Sequence, residues 1–290
     1  MELRSSKDNG AETALSPCGL IVRRDDHDRY LTVLFAPARA REDLFALYAF
    51  NQEIAKIRDL VSEPMLGRIR LQWWRETIEA IYRDSPPAHE VARPLAAAIR
   101  SHGLPRGPFD RMINAREQDL SGEQPEDLAS LSAYAAATGG TLTRLAVGSL
   151  GEGAANNLEC ADAIGTGWAL TGILRSIAHR ARRKATLLPR ELTQKHAVDL
   201  GRLLELKFAP GLDQALAAIA AEARAHLSRG RTLRPSTDRK ARSPLLVAAL
   251  ADIYLAQLAH AGWDPFAPAI AERPPWLVWR LAAFYAFGRF

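Results

Sequence analysis

The sequence predicts an all-α fold in a single domain, on three observations. Apolar residues recur at the three- and four-residue spacing of a helix almost throughout, as at Leu44, Leu47, Tyr48, Ile54 and Ile57. Alternating β-branched runs are scarce, which leaves little from which to build a sheet. Prolines fall between the periodic stretches rather than inside them, where they start or stop helices. In chain order, a first helix over 39–63 lies between Pro37 and Pro64. A second, 65–83, runs from Pro64 to the Pro86-Pro87 pair, and a third, 88–102, follows that pair. Pro105 and Pro125 introduce helices over 106–120 and 127–150, and a long apolar stretch continues over 155–180. Pro189 and Pro210 bracket 190–207, Pro210 opens 211–230, Pro244 opens 243–261, and Pro274 precedes 275–288.

Residues 1–18 read as a disordered tail and 19–290 as one domain, since no fixed-period repeat and no low-complexity linker divides the chain. The polar stretch Arg229–Ser243, RGRTLRPSTDRKARS, is expected to be a mobile, solvated connection before the last two helices. A chain of 290 residues buries a core without staples, and its two cysteines, Cys18 and Cys160, suggest neither a disulfide framework nor a metal knuckle. The opening MELRSSKDNG carries acids and no apolar core, unlike a secretory or transit segment, so a cytoplasmic location is expected. No uninterrupted apolar run reaches the ~18 residues of a membrane span. The net charge of +5 suits an anionic partner. The basic residues are spread along helices, however, and no nucleic-acid module is visible, so nucleic acid is not expected as that partner.

The stretch Arg24–Asp59, RDDHDRYLTVLFAPARAREDLFALYAFNQEIAKIRD, resembles the opening of squalene and phytoene synthases, with Tyr30, Pro37, Arg41, Ala46, Tyr48 and Phe50 at equivalent places. Further likenesses are Trp73-Trp74 with Arg75, MINAREQDL ending at Asp119-Leu120, YAAATGGTL from Tyr134, and ALTGILRSIAHRARRKATLLPRE over 169–191. The resemblance covers about residues 24–200. It implies an isoprenoid-synthase-type bundle around an apolar central cavity. It also implies head-to-head joining of two prenyl diphosphates, with Mg²⁺ held by paired aspartates on two facing helices. Aspartates four apart lie on one helical face, one turn above the other, and supply the oxygen ligands Mg²⁺ requires.

Most of those aspartates are missing. The first pair falls on Ala55 and Asp59 and the second on Ser176 and Arg180, so three of the four family positions carry no carboxylate. Ala169 and Gly172 replace polar residues that the family places before the second motif. A shifted pair, Asp59 with Glu63, is a weak metal candidate, because Glu63 precedes Pro64 and is pushed off helical angles. No cofactor is therefore expected, and Mg²⁺ only if the chain is an active transferase.

What remains is basic, and arginine forks bind phosphate without metal. Tyr30, Arg41, Tyr48, Arg58, Arg175, Arg180, Arg183 and Lys184 are candidates for holding a prenyl diphosphate or an anionic lipid, and Phe50, Tyr134, Thr138, Gly139, Ala169 and Gly172 for lining the cavity. Alternatively the cations pair with acids, for instance Arg180 with Asp59. His179 and His196 read as ordinary polar positions, and Trp73 and Trp74 as core.

The combination of AFNQEIAKIRD, RIRLQWWRETIEAIY and LRSIAHRARRKATLLP resembles the mitochondrial complex I assembly factor 6 group more than the catalytic synthases, with a composition that suggests a bacterial member. That resemblance implies a non-catalytic protein that assists assembly of the respiratory NADH dehydrogenase, with complex I subunits or other assembly factors as partners. The C-terminal PPWLVWRLAAFYAFGRF is too short to span a bilayer. Trp276, Trp279, Phe284 and Arg289 are candidates for contact with the inner face of the cytoplasmic membrane, against the alternative that this helix packs on the core. Three readings follow: an assembly pseudoenzyme, an active prenyl transferase, and a lipid-binding module.

Overall fold

A computed structural model of the chain describes residues 15–151, 153–233 and 242–287. Residues 1–14 of the expected 1–18 tail, the middle of the polar connection and Arg289 lie outside the described residues. Every regular element among those described is helical.

Pro17 and Cys18, assigned in sequence to the tail, belong instead to a helix. Ser16 caps α1 (Pro17–Asp25) by accepting from the Gly19 amide, with Pro17 at the first helical position. Asp26 ends α1 and begins α2 (His27–Val33), where its carboxylate accepts from the Arg29 amide at 3.2 Å. The first long helix of the sequence reading is broken at Lys56 into α3 (Arg41–Ala55) and α4 (Ile57–Leu60). Next come α5 (Pro64–Tyr82), α6 (Ala92–His102) and α7 (Arg106–Ser121). Glycines in the left-handed region, Gly103 and Gly122, end α6 and α7.

The expected helix over 127–150 is α8 (Leu128–Ala135) and α9 (Thr141–Gly148), joined by a wide π turn over Ala136–Gly140. The one expected over 155–180 breaks at Ser176 into α10 (Ala155–Arg175) and α11 (Ile177–Arg182). Short helices α12 (Arg190–Lys195) and α13 (Leu200–Leu204) precede the long α14 (Leu212–Thr232). The chain closes with α15 (Arg242–Leu245), α16 (Val247–His260), α17 (Pro268–Ala271) and α18 (Leu277–Phe287).

Two apolar clusters hold the bundle. In the first, Phe50 packs edge-on against Trp74 and Phe109 at 5.2 and 5.6 Å between ring centres, joining α3, α5 and α7. The second surrounds α10, whose small residues let neighbours approach closely. A methyl group on Gly167 would stand 2.7 Å from Leu227 of α14, and one on Gly139 would stand 2.6 Å from Ala169. The segment 242–260 is long and apolar enough to cross a membrane, but 72% of its most apolar 18-residue stretch is buried inside the molecule, as suits a core helix.

Candidate functional site

A chamber of about 460 Å³ opens where the two clusters meet. One side is the α1–α2 corner, with Asp25, Asp26, Asp28 and Arg29; α3 adds Asn51, Gln52 and Ala55. The opposite side is Tyr134, Thr138 and Gly139 of the π turn region, with Trp168, Ala169, Gly172, Arg175 and Ser176 on α10. Arg116 of α7, Arg180 of α11 and Arg273 complete its charged lining, so five arginines face three aspartates.

Each carboxylate there already has partners. Asp26 accepts from Arg29 Nη1 at 2.6 Å and from Gln52 Nε2 at 3.0 Å, and the Arg29 guanidinium lies over the rings of Tyr48 and Trp168. Asp28 accepts from Arg175 Nη1 at 3.1 Å and from the Tyr254 hydroxyl at 2.8 Å, with Arg273 Nε at 3.5 Å. Arg175 in turn lies 3.5 Å from the centre of the Tyr254 ring. Asp25 is bound by Arg24 and Lys56; the Arg24 hydrogen bond, partly opposed by burial and aided by Lys56, holds its pKa below the usual carboxylate value.

Behind the wall, Asp119 takes the Tyr134 hydroxyl at 2.8 Å, Arg116 at 3.3 Å and Arg180 at 3.4 Å. Burial pushes the Tyr134 phenol up to about 12. Burial also opposes the charge of Arg116, but Tyr134 and Asp119 outweigh it and its pKa lies above the ordinary arginine value.

The sequence candidates divide by place. Ala55, Ser176, Arg175, Arg180, Tyr134, Thr138, Gly139, Ala169 and Gly172 all line the chamber. Asp59 does not. With the helix broken at Lys56, it lies in a separate cleft with Arg58 and Arg183, and Arg180 forms a wall of both spaces. The pairing considered for Arg180 and Asp59 is therefore replaced: Arg180 goes to Asp119, while Asp59 meets Arg183 Nε at 3.1 Å and the His179 imidazole at 3.5 Å. Glu63 has extended backbone (φ −115°, ψ 136°) and is exposed, so it does not align with Asp59.

Other candidates point elsewhere. Arg41 donates to the carbonyls of Ala36 and Leu34 and ties down the turn before α3. Lys184 donates to the Leu204 carbonyl at 2.7 Å. Tyr48 and Phe50 are sealed in the first apolar cluster, and Tyr30 stacks on Phe45 at 5.8 Å. Trp74 is core as expected, whereas Trp73 is partly exposed; Trp276 and Trp279 are exposed, while Phe284 packs partly against the second cluster.

Sequence reasoning missed Asp28, Arg29, Asn51, Arg116, Asp119, Trp168 and Arg273 as members of the site. Two signals were present: three acids within Asp25–Asp28, and Arg116 with Asp119 at the i, i+3 spacing that puts both on one face.

A magnesium site of the kind the resemblance implies does not fit these residues. Ala55 offers no oxygen, the Ser176 hydroxyl donates to the Ile173 carbonyl at 2.8 Å, and Arg180 is a cation. Among the described residues, no group of three or more His, Cys, Asp or Glu side chains is disposed to hold a metal ion. The chamber instead presents guanidinium groups, and Nε of Arg116 and of Arg175 is buried without a hydrogen-bond partner.

Residues 22–280 match the squalene/phytoene synthase family. The bovine (Bos taurus) protein named NADH dehydrogenase (ubiquinone) complex I, assembly factor 6 is 30% identical over 256 residues, covering 88% of this chain and 77% of that one. A presqualene diphosphate synthase of Rhodopseudomonas palustris is 31% identical over 168 residues, 57% of this chain and 59% of the other. A dehydrosqualene synthase structure superposes with a TM-score of 0.83 at 18% identity, over 93% of this chain and 94% of that one, which shows a shared fold. With the helical order, the central chamber and a sequence match over most of its length in agreement, the chain belongs to the squalene/phytoene synthase family.

Proposed function

We propose that this protein has given up metal-dependent coupling of prenyl diphosphates and assists assembly of respiratory complex I at a membrane surface, keeping its chamber as a metal-free site for an anionic isoprenoid or lipid. One observation carries this reading. Ala55, Ser176 and Arg180, which stand where the family holds its metal-binding aspartates, share a chamber whose own aspartates are all engaged by cations or hydrogen-bond donors. A carboxylate already neutralised by arginine is a poor ligand for Mg²⁺, whereas arginine forks bind phosphate oxygens directly. Support for the assembly role comes from the bovine relative's name. The exposed Trp276, just before α18, and Trp279, in its first turn, support contact with a membrane.

The test has two arms. The purified protein incubated with farnesyl diphosphate and Mg²⁺ is expected to release no diphosphate, and deletion of the gene is expected to lower assembled NADH dehydrogenase while leaving isoprenoid products intact. Metal-dependent release of diphosphate overturns the first half, and normal NADH dehydrogenase in the deletion strain overturns the second. The second reading, prenyl transfer, is favoured by the 31% identity to the presqualene diphosphate synthase. It requires turnover in the same assay.

A further inference from the structure

The outer face of α5 carries an apolar stripe that the bundle leaves uncovered. Met65, Leu66, Ile69 and Trp73 are exposed there, joined by Leu60 of α4; Leu60, Met65 and Ile69 are each more than half exposed, at 63%, 58% and 59%. At about 100° per residue, Met65, Ile69, Trp73 and Leu66 fall within an arc of roughly 100°. The opposite face, Gly67, Leu71, Trp74, Ile78 and Ile81, is buried against the bundle. The helix thus has two apolar faces, and the core uses one.

Charge flanks the other. Arg70 follows the apolar arc on one side and Arg68 on the opposite side, while Arg58 on α4 is half-buried and lines the cleft that also holds Asp59. None of the three makes an ion pair among the described residues, although fifteen other cationic side chains from Arg24 to Arg231 are drawn into such pairs or contacts. The nearby carboxylates are Asp59 on α4, which is held by Arg183 and His179, Glu63 at the helix start, and Glu53 in the wall of a groove of about 440 Å³ between α4 and α5. That groove is walled by Ile57, Leu60, Ile69 and Trp73, with Arg70 at its side.

We propose that α4 and the first half of α5 form a docking surface for an anionic lipid bilayer, lying flat in the headgroup layer with Leu60, Met65, Leu66, Ile69 and Trp73 in the acyl boundary and Arg68 and Arg70 on lipid phosphates. Charge complementarity selects this occupant. A shallow apolar stripe edged on both sides by unpaired arginines and including a tryptophan is the pattern of an interfacial helix. The stripe stops at Glu76, so insertion is confined to the helix's first half. The same short α4 carries Arg58 and Asp59 into the cleft shared with Arg180, so docking brings the bilayer beside the charged end of the chamber wall. The inference does not depend on the assembly role.

Co-sedimentation of the full chain with vesicles tests it, using phosphatidylcholine alone and phosphatidylcholine mixed with phosphatidylglycerol. Binding is expected to the mixed vesicles only and to weaken as ionic strength rises. The double variant Met65→Asp with Ile69→Asp, and separately Arg68→Gln with Arg70→Gln, are each expected to lower the partition coefficient by about tenfold or more. Trp279→Ser, at the exposed tryptophan of α18, is expected to lower binding by less than either α5 variant. All these positions are exposed, and unchanged circular dichroism melting confirms that each variant folds. Three results overturn the proposal: no binding to either vesicle, loss in Trp279→Ser with none in the α5 variants, or concentration-dependent self-association that Met65→Asp with Ile69→Asp abolishes while vesicles bind neither protein.

Discussion

Asp119 shows how one residue ties the chamber wall together. Its side chain is almost wholly buried and accepts from Tyr134, Arg116 and Arg180, which come from three different elements. Removing it leaves the buried Arg116 without its counter-charge, and breaking a buried pair from one side costs about 3–5 kcal/mol. Asp119→Ala is therefore expected to lower the unfolding free energy by about that much, read as a shift in the urea midpoint. Asp119→Asn keeps acceptor capacity and loses less. An unchanged midpoint in Asp119→Ala would mean that Arg116 escapes to water and that the wall is not held in this way. The pair itself was legible in sequence as an i, i+3 couple. Its partner Arg180 was not, because 61 residues separate it from Asp119 and only the fold brings them together.

The helices were legible as a set because proline punctuation and apolar period agree at almost every boundary. Their interruptions at Lys56 and Ser176 and the π turn over Ala136–Gly140 were not, since none of them carries a proline. Glycine spacing contains the missing information only once the neighbours are known. A methyl group on Gly165 of α10 would meet the Gly139 carbonyl and, at 2.5 Å, the Thr143 hydroxyl, whereas one on Gly172 of the same helix meets nothing within 4 Å. Gly165→Ala must push α10 from the π turn and is expected to cost about 1–3 kcal/mol or more by overpacking. Gly172→Ala, facing the chamber, is expected to be neutral or to gain up to ~1 kcal/mol from helix propensity. Thermal melts of the two variants separate these outcomes, and equal melting temperatures would contradict the close approach of α9 and α10.

At the scale of the molecule, the decisive quantity is the charge around the chamber. Five arginines face three aspartates there, and the whole chain carries +5, so the site has positive potential without a metal ion. A site that relies on Mg²⁺ has the opposite character: alone it repels diphosphate, and it binds only the metal complex. The two cases respond oppositely to a chelator. Inorganic diphosphate with EDTA is expected to raise the melting temperature of this protein, because a ligand bound only by the native state at a hundred times its Kd adds about 2.7 kcal/mol. For a chain of 290 residues that corresponds to roughly 4–5 °C. Added Mg²⁺ then competes with the arginines for the phosphate oxygens, so the increase should shrink. Arg175→Met with Arg180→Met should abolish it, since both guanidiniums line the chamber and neither is replaced by another cation. A rise that occurs only when Mg²⁺ is present would restore the metal-dependent site and make the loss of its aspartates a change of ligands rather than of chemistry.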